Sequence, residues 1–204
     1  VSNNYSISSG GIGEALKRSA SSLAAANNTL DESIALTTAA NEVTQNPEVV
    51  GNAMKTISMR IRGAKTEMEA LGEDTEGMVE STSKLRAEIL ALSGVDIMEN
   101  ESTFKSTYAI MDELAQKWES LTDIQQASIT ELVAGKRQGN IMSSLMKNFD
   151  VARDSLQTSL KSVGSAMREH EKASESLEFK INSLKASWQS LSQTFLNSDF
   201  LKGT

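Results

Sequence analysis

Residues 141–195 read IMSSLMKNFDVARDSLQTSLKSVGSAMREHEKASESLEFKINSLKASWQSLSQTF, and their spacing decides the fold class. Ile141, Leu145, Phe149, Ala152, Leu156, Leu160, Val163, Met167, His170, Ala173, Leu177, Ile181, Leu184, Trp188, Leu191 and Phe195 recur at steps of three or four. The mean step is about 3.6, the period of a straight α-helix rather than of a supercoil. Ser, Lys, Glu, Gln and Arg fill the intervals and no proline interrupts them, so one long helix or two nearly collinear ones are expected. Unbroken, it would run roughly 80 Å. The stripe is small or polar around Val163, Gly164, Ala166, His170 and Ala173, and a joint is expected there. A helix of that length cannot bury its own apolar edge. Leu156, Leu160, Leu177, Ile181, Leu184, Trp188, Leu191 and Phe195 are therefore the candidate face for partners or for a second copy.

Upstream, the pattern stays helical but the segments are short. Residues 1–10 are polar and read as a flexible lead-in. Ile12 to Ala26 gives a first helix ending at Asn27 and Asn28, and Thr29 with Glu32 forms a capping box for a second that runs to about Gln45. Asn46-Pro47 starts a third, read through Met68. The acidic, glycine-bearing residues 71–80 read as a loop, Lys84 to Leu92 as a fourth helix, and Val95 to Lys105 as a short hairpin or long loop. Ser106 or Thr107 can cap a fifth helix, and Thr122 with Gln125 opens a sixth that stops at Gly135. The expected fold is all-α: a lead-in over 1–10, a helical bundle over 11–135 with the acidic loop and hairpin at 71–105, and a long helical arm over 136–204.

Composition narrows the function. The 204 residues include no cysteine, one proline and 4% aromatics, which excludes disulfide and thiolate-metal frameworks and points to thin helix-on-helix packing. The net charge of -7 is concentrated in residues 71–103, so the long stripe is neutral and has no basic face for nucleic acid. No run of 18 apolar residues and no basic-then-apolar leader is present, and the opening Val1 is expected to mark a processed form or a piece of a longer chain. His170, the one histidine, cannot form a zincin pair or a triad with Glu169 and Glu171 beside it. Ser9-Gly10-Gly11-Ile12-Gly13 lacks the strand and the Lys-Ser/Thr ending of a phosphate loop, and Ala134-Gly135-Lys136-Arg137 has Arg where a hydroxyl is required. Glu73/Asp74 and Glu99/Glu101 lie in connectors, where solvated loops are expected rather than acid–base pairs. No catalytic residue, metal site or cofactor is expected.

Several stretches carry a resemblance. Leu30 to Gln45, Pro47, Val50, Gly51, Ala53 to Gly63, Phe104 to Thr107, Trp118 to Gln126, Leu132 to Asn140 and Gly164-Ser165-Ala166 together resemble the core region of siphophage tail tape measure proteins. Their order spans residues 11 to 198. The resemblance implies a non-enzymatic structural protein of the virion tail that templates tail-tube length and leaves the tube lumen with the DNA at infection. It implies tail-tube, baseplate and tail assembly chaperone proteins as partners, self-association, and residence in the bacterial host cytoplasm during assembly, with a prophage as a fitting source. Full tape measure proteins are usually longer and carry hydrophobic segments, so the resemblance also implies a fragment or a short remnant. The alternative is a flagellin-like or secreted helical filament subunit, which shares the missing cysteine and the Ser/Ala/Asn/Thr-rich amphipathic helices. That class pairs helices at both termini, and here the opening is irregular.

Overall fold

Most helices of this chain begin where a hydroxyl or amide side chain can take a free amide of the first turn. In the computed structural model, which describes residues 5–79, 81–169 and 186–190, Ser8 accepts from the Gly11 amide and opens α1, Ser9–Ala25. Thr29 and Glu32 close the expected capping box at α2, Leu30–Thr44. Asn46 and Pro47 start α3, Pro47–Ile61, which is followed by the short α4, Lys65–Ala70. Ser81 caps α5, Thr82–Ser93, and Ser106 caps α6, Thr107–Lys117. A second capping box, Thr122 with Gln125, opens α7, Asp123–Lys147; α8 is Phe149–Glu169. The class is all-α. Among the described residues the only strand-like pairing is the antiparallel bridge between Met98 and Phe104, in the stretch where a hairpin was an option.

Helix ends are as well specified as starts. At the end of α1, the Asn28 and Asn27 amides donate to the Leu23 and Ala24 carbonyls while Asn27 takes φ 60°, a Schellman closure with asparagine in the glycine position. The same closure at Gly63, φ 66°, has Ala64 donating to Met59 and Gly63 to Arg60. This is why the third helix, read through Met68, is divided into α3 and α4. The lead-in is also tied down: Ile7 is buried and the Ser6 amide donates to Glu42.

The core is organised around α2, which meets α1, α3, α6, α7 and α8. Ser33, Ala35, Leu36, Thr37, Thr38, Ala39, Ala40 and Asn41 are all buried, so the helix is covered on every side. Small side chains allow this, because they let neighbouring backbones approach. Ser33 and Thr37 satisfy their hydroxyls on the Thr29 and Ser33 carbonyls of their own helix. Against α2 pack Leu23, Met54, Ile57, Ile110, Met142 and Phe149, all within one apolar cluster.

The path into and along the long stripe has two breaks. The first is at Gly135, whose φ 68°, ψ 177° is non-helical, so Asp123–Lys147 is two helices joined across a kink. The sixth helix stops at Gly135, as expected, and a further helix carries on to Lys147. The second break is at Asn148, which separates α7 from α8. No glycine or proline marks Asn148; tertiary packing sets the break, because it lets Phe149, Ala152 and Ser155 bury onto the body. The Arg153 guanidinium donates to Asp112 of α6 at 2.6 Å and anchors the same face. The core thus runs through the expected boundary at 135/136, and the helix passes without interruption through Gly164, where the joint was expected.

Candidate interaction surface

The candidate association residues do not share one environment. Leu156 is half-buried and packs on the core, whereas Leu160 is 58% exposed. Trp188 is half-buried against the same core, with its indole Nε1–H donating to the Asn28 carbonyl at 2.7 Å. Leu177, Ile181, Leu184, Leu191 and Phe195, like His170, lie outside the described residues.

Trp188 sits on the corner between α1 and α2, and this corner is a junction of four segments. The buried Asn28 side chain donates to the Leu23 and Ala26 carbonyls and accepts from the Tyr108 amide at 2.9 Å. Asn27 donates to the Phe104 carbonyl, and Ser106 donates to Glu32. From α8, the Ser159 hydroxyl donates to Asp31. A straight helix would carry Trp188 about 43 Å beyond Ser159. Both instead reach the same corner, Trp188 at Asn28 and Ser159 at Asp31. Asn28→Ala strips the Ala26 carbonyl and the Tyr108 amide of their side-chain partner, while the Leu23 carbonyl keeps the backbone amide of residue 28; a loss of about 2–3 kcal/mol of stability is expected in urea unfolding. A loss below about 0.5 kcal/mol would show that the corner holds without it.

The charged features of the sequence are largely consumed inside the fold. The acidic loop is pinned by pairs from Glu73 to Lys55, Asp74 to Arg137, and Glu76 to Lys136. Lys136 and Arg137, the basic residues of the Gly-Lys stretch, therefore answer carboxylates. Glycines 10, 11 and 13 belong to the first turns of α1.

Arg60 is the feature the sequence reading missed. It is 1% exposed and has no carboxylate in contact; its guanidinium donates to four backbone carbonyls, of Asp74, Glu76, Glu131 and Leu132. Glu131 and Leu132 precede the Gly135 bend, where a helix presents its negative end, so the cation answers that dipole as well. Burial lowers the Arg60 pKa, against upward pulls from Asp74 and Glu131. Arg62, by contrast, stacks over the Phe104 ring at 4.4 Å, and burial pushes its pKa down to about 10.

Outside the corner, exposed large apolar side chains are scattered: Val43, Val49, Leu71, Leu90 and Ile124. Among the described residues no group of three or more His, Cys, Asp or Glu could hold a metal ion, and no helix is long and apolar enough to cross a membrane. The arrangement is one of helix-to-helix contacts and backbone clamps.

No solved structure matches the chain. The sequence model of the family described as phage-related minor tail protein matches residues 1–135, from the lead-in to the bend in α7. That match covers most of the chain, and the protein belongs to the phage-related minor tail proteins, a structural component of the virion tail.

Proposed function

We propose that the chain is a folded module of a tape measure protein. The family match over residues 1–135 carries the tail assignment and favours it over a filament subunit. The likeness of Leu30 to Gly63 and Leu132 to Asn140 to tape measure cores supports the narrower reading. In that reading the module lies in the tube lumen with tail-tube and baseplate proteins around it. It meets tail assembly chaperones in the host cytoplasm, associates with further copies through the C-terminal stripe, and leaves with the DNA at infection. It has no catalytic role.

The fold limits what this module contributes to length. An extended helix measures 1.5 Å per residue, but helices folded around α2 do not add their lengths end to end. The gauge then belongs to helical sequence outside this body, and the body acts as a docking piece on it. Inserting a continuous 60-residue helix elsewhere in the reading frame that encodes this chain is expected to lengthen tails by about 90 Å. Tails of unchanged length in electron micrographs would overturn the tape measure reading and leave the family assignment standing.

A further inference from the structure

We infer that α8 is a releasable strap: it closes over α2 in the folded body and lifts from it as a unit, hinged at Asn148, while α1 to α7 stay packed. Asp31, Ala35 and Thr38 recur at helical spacing on one face of α2, and Asp31 on that face accepts from the Ser159 hydroxyl of α8. Ala152, Ser155 and Ser159 share one face of α8 in the same way. The two faces meet in a seam of small side chains, with Ala35, Thr38, Ala152 and Ser155 all 0% exposed.

The seam is short of hydrogen bonds. Elsewhere in the body a buried hydroxyl bonds a carbonyl of its own helix, as those of Ser19, Ser33, Thr37 and Ser93 do. Among the described residues, Thr38 Oγ1 and Ser155 Oγ, one on each side of the seam, are buried with no partner. So are Asn41 Oδ1, one turn along α2, and one terminal guanidinium nitrogen of Arg153. Water satisfies each of the two hydroxyls when α8 lifts, so each favours the open form by on the order of tenfold.

Little apolar burial opposes this. Over residues 149–161 Phe149 and Ala152 are the buried apolar side chains; Val151 and Leu156 are half-covered and Leu160 is 58% exposed. The polar ties, Arg153 to Asp112 and Ser159 to Asp31, are partly exposed, where water competes for them. α2, by contrast, is also held by α1, α3, α6 and α7. Asn148, at φ -117° and ψ 25°, already breaks the helical path between α7 and α8. Release swings out 21 residues of helix, roughly 30 Å long, and bares the Asp31 to Thr38 face of α2.

This proposal does not rest on the tail reading. Native-state hydrogen exchange on the full chain, read amide by amide through a urea series below the unfolding transition, tests it. Amides of Ala152 to Ser159 are expected to exchange as a group, more than about tenfold faster than those of Ala53 to Ile57 in α3, and with a smaller urea dependence. Ser155→Ala, which deletes an unbonded hydroxyl, is expected to slow α8 exchange by about tenfold. Gln157→Ala, exposed on the same helix, carries the gain in helix propensity alone and is expected to slow it by no more than about twofold. Amides of α8 and α3 that share one rate and one urea slope would overturn the proposal, and so would a Ser155→Ala effect no larger than that of Gln157→Ala.

Discussion

Arg60→Leu is expected to lower the free energy of unfolding by about 3–5 kcal/mol, because buried carbonyls lose a charged donor at a cost of about 1–3 kcal/mol for each one left unsatisfied. Leucine fills part of the volume but leaves the Asp74, Glu76, Glu131 and Leu132 carbonyls without the donor that now serves them. Two of these carbonyls lie on the acidic loop and two on α7, so the loop should detach and the Gly135 bend should lose its brace. Arg60→Lys is expected to recover only part of the loss, because a single ammonium cannot reproduce a planar fork aimed at four acceptors. Urea titration measures both. A loss under about 1 kcal/mol for Arg60→Leu would show that the bend stands on its own packing.

Gly51→Ala is the second large effect, and its sign is diagnostic. By intrinsic propensity alone alanine should stabilise α3 by about 1 kcal/mol. A Cβ at residue 51 would, however, stand 2.4 Å from the Ala15 carbonyl oxygen of α1. The obstacle is backbone, which no rotamer change can move, so α1 and α3 must separate. The net result expected is a loss of about 2–3 kcal/mol. Truncating Ala15 to glycine should not rescue it, since the clash is with the carbonyl. A stabilised Gly51→Ala in thermal or urea unfolding would mean that α1 and α3 are not in backbone contact.

These two positions show what could be read from the residues and what could not. Helix starts were legible because capping chemistry is local: Thr29 with Glu32, Asn46 with Pro47, Ser106, and Thr122 with Gln125 each act within one turn. The Asn27 stop was legible for the same reason. Gly51 stands in a regular helical run, and only the crossing of α1 explains it. Arg60 reads as an ordinary polar residue near a helix end, because its acceptors are carbonyls far along the chain. α2 hides its central place, since Ser, Thr and Ala give no strong apolar face to a helix that is buried all round.

The stripe was the most persuasive signal and the least complete. Its period correctly marks helix, and helix runs from Asp123 to Lys147 and from Phe149 to Glu169. Periodicity says which residues face together, but not what they face. The break at Asn148 comes from the gain of burying Phe149 and Ala152 on α2 and its neighbours. Of the association residues named from the stripe, Trp188 donates to the Asn28 carbonyl at a helix corner, and no local pattern at Asn27 to Asp31 announces that contact.

The claim on which this account most depends is that Trp188 is seated at the α1–α2 corner. Nitroxide labels on cysteines placed at Lys17 of α1 and at Gln189, with doubly labelled protein diluted to micromolar, measure this directly by dipolar spectroscopy. Seated as described, Gln189 is expected within about 30 Å of Lys17, because α1 runs only about 12 Å from Lys17 to its end at Ala25. A distance beyond about 40 Å, as an uninterrupted rod would give, would contradict the account.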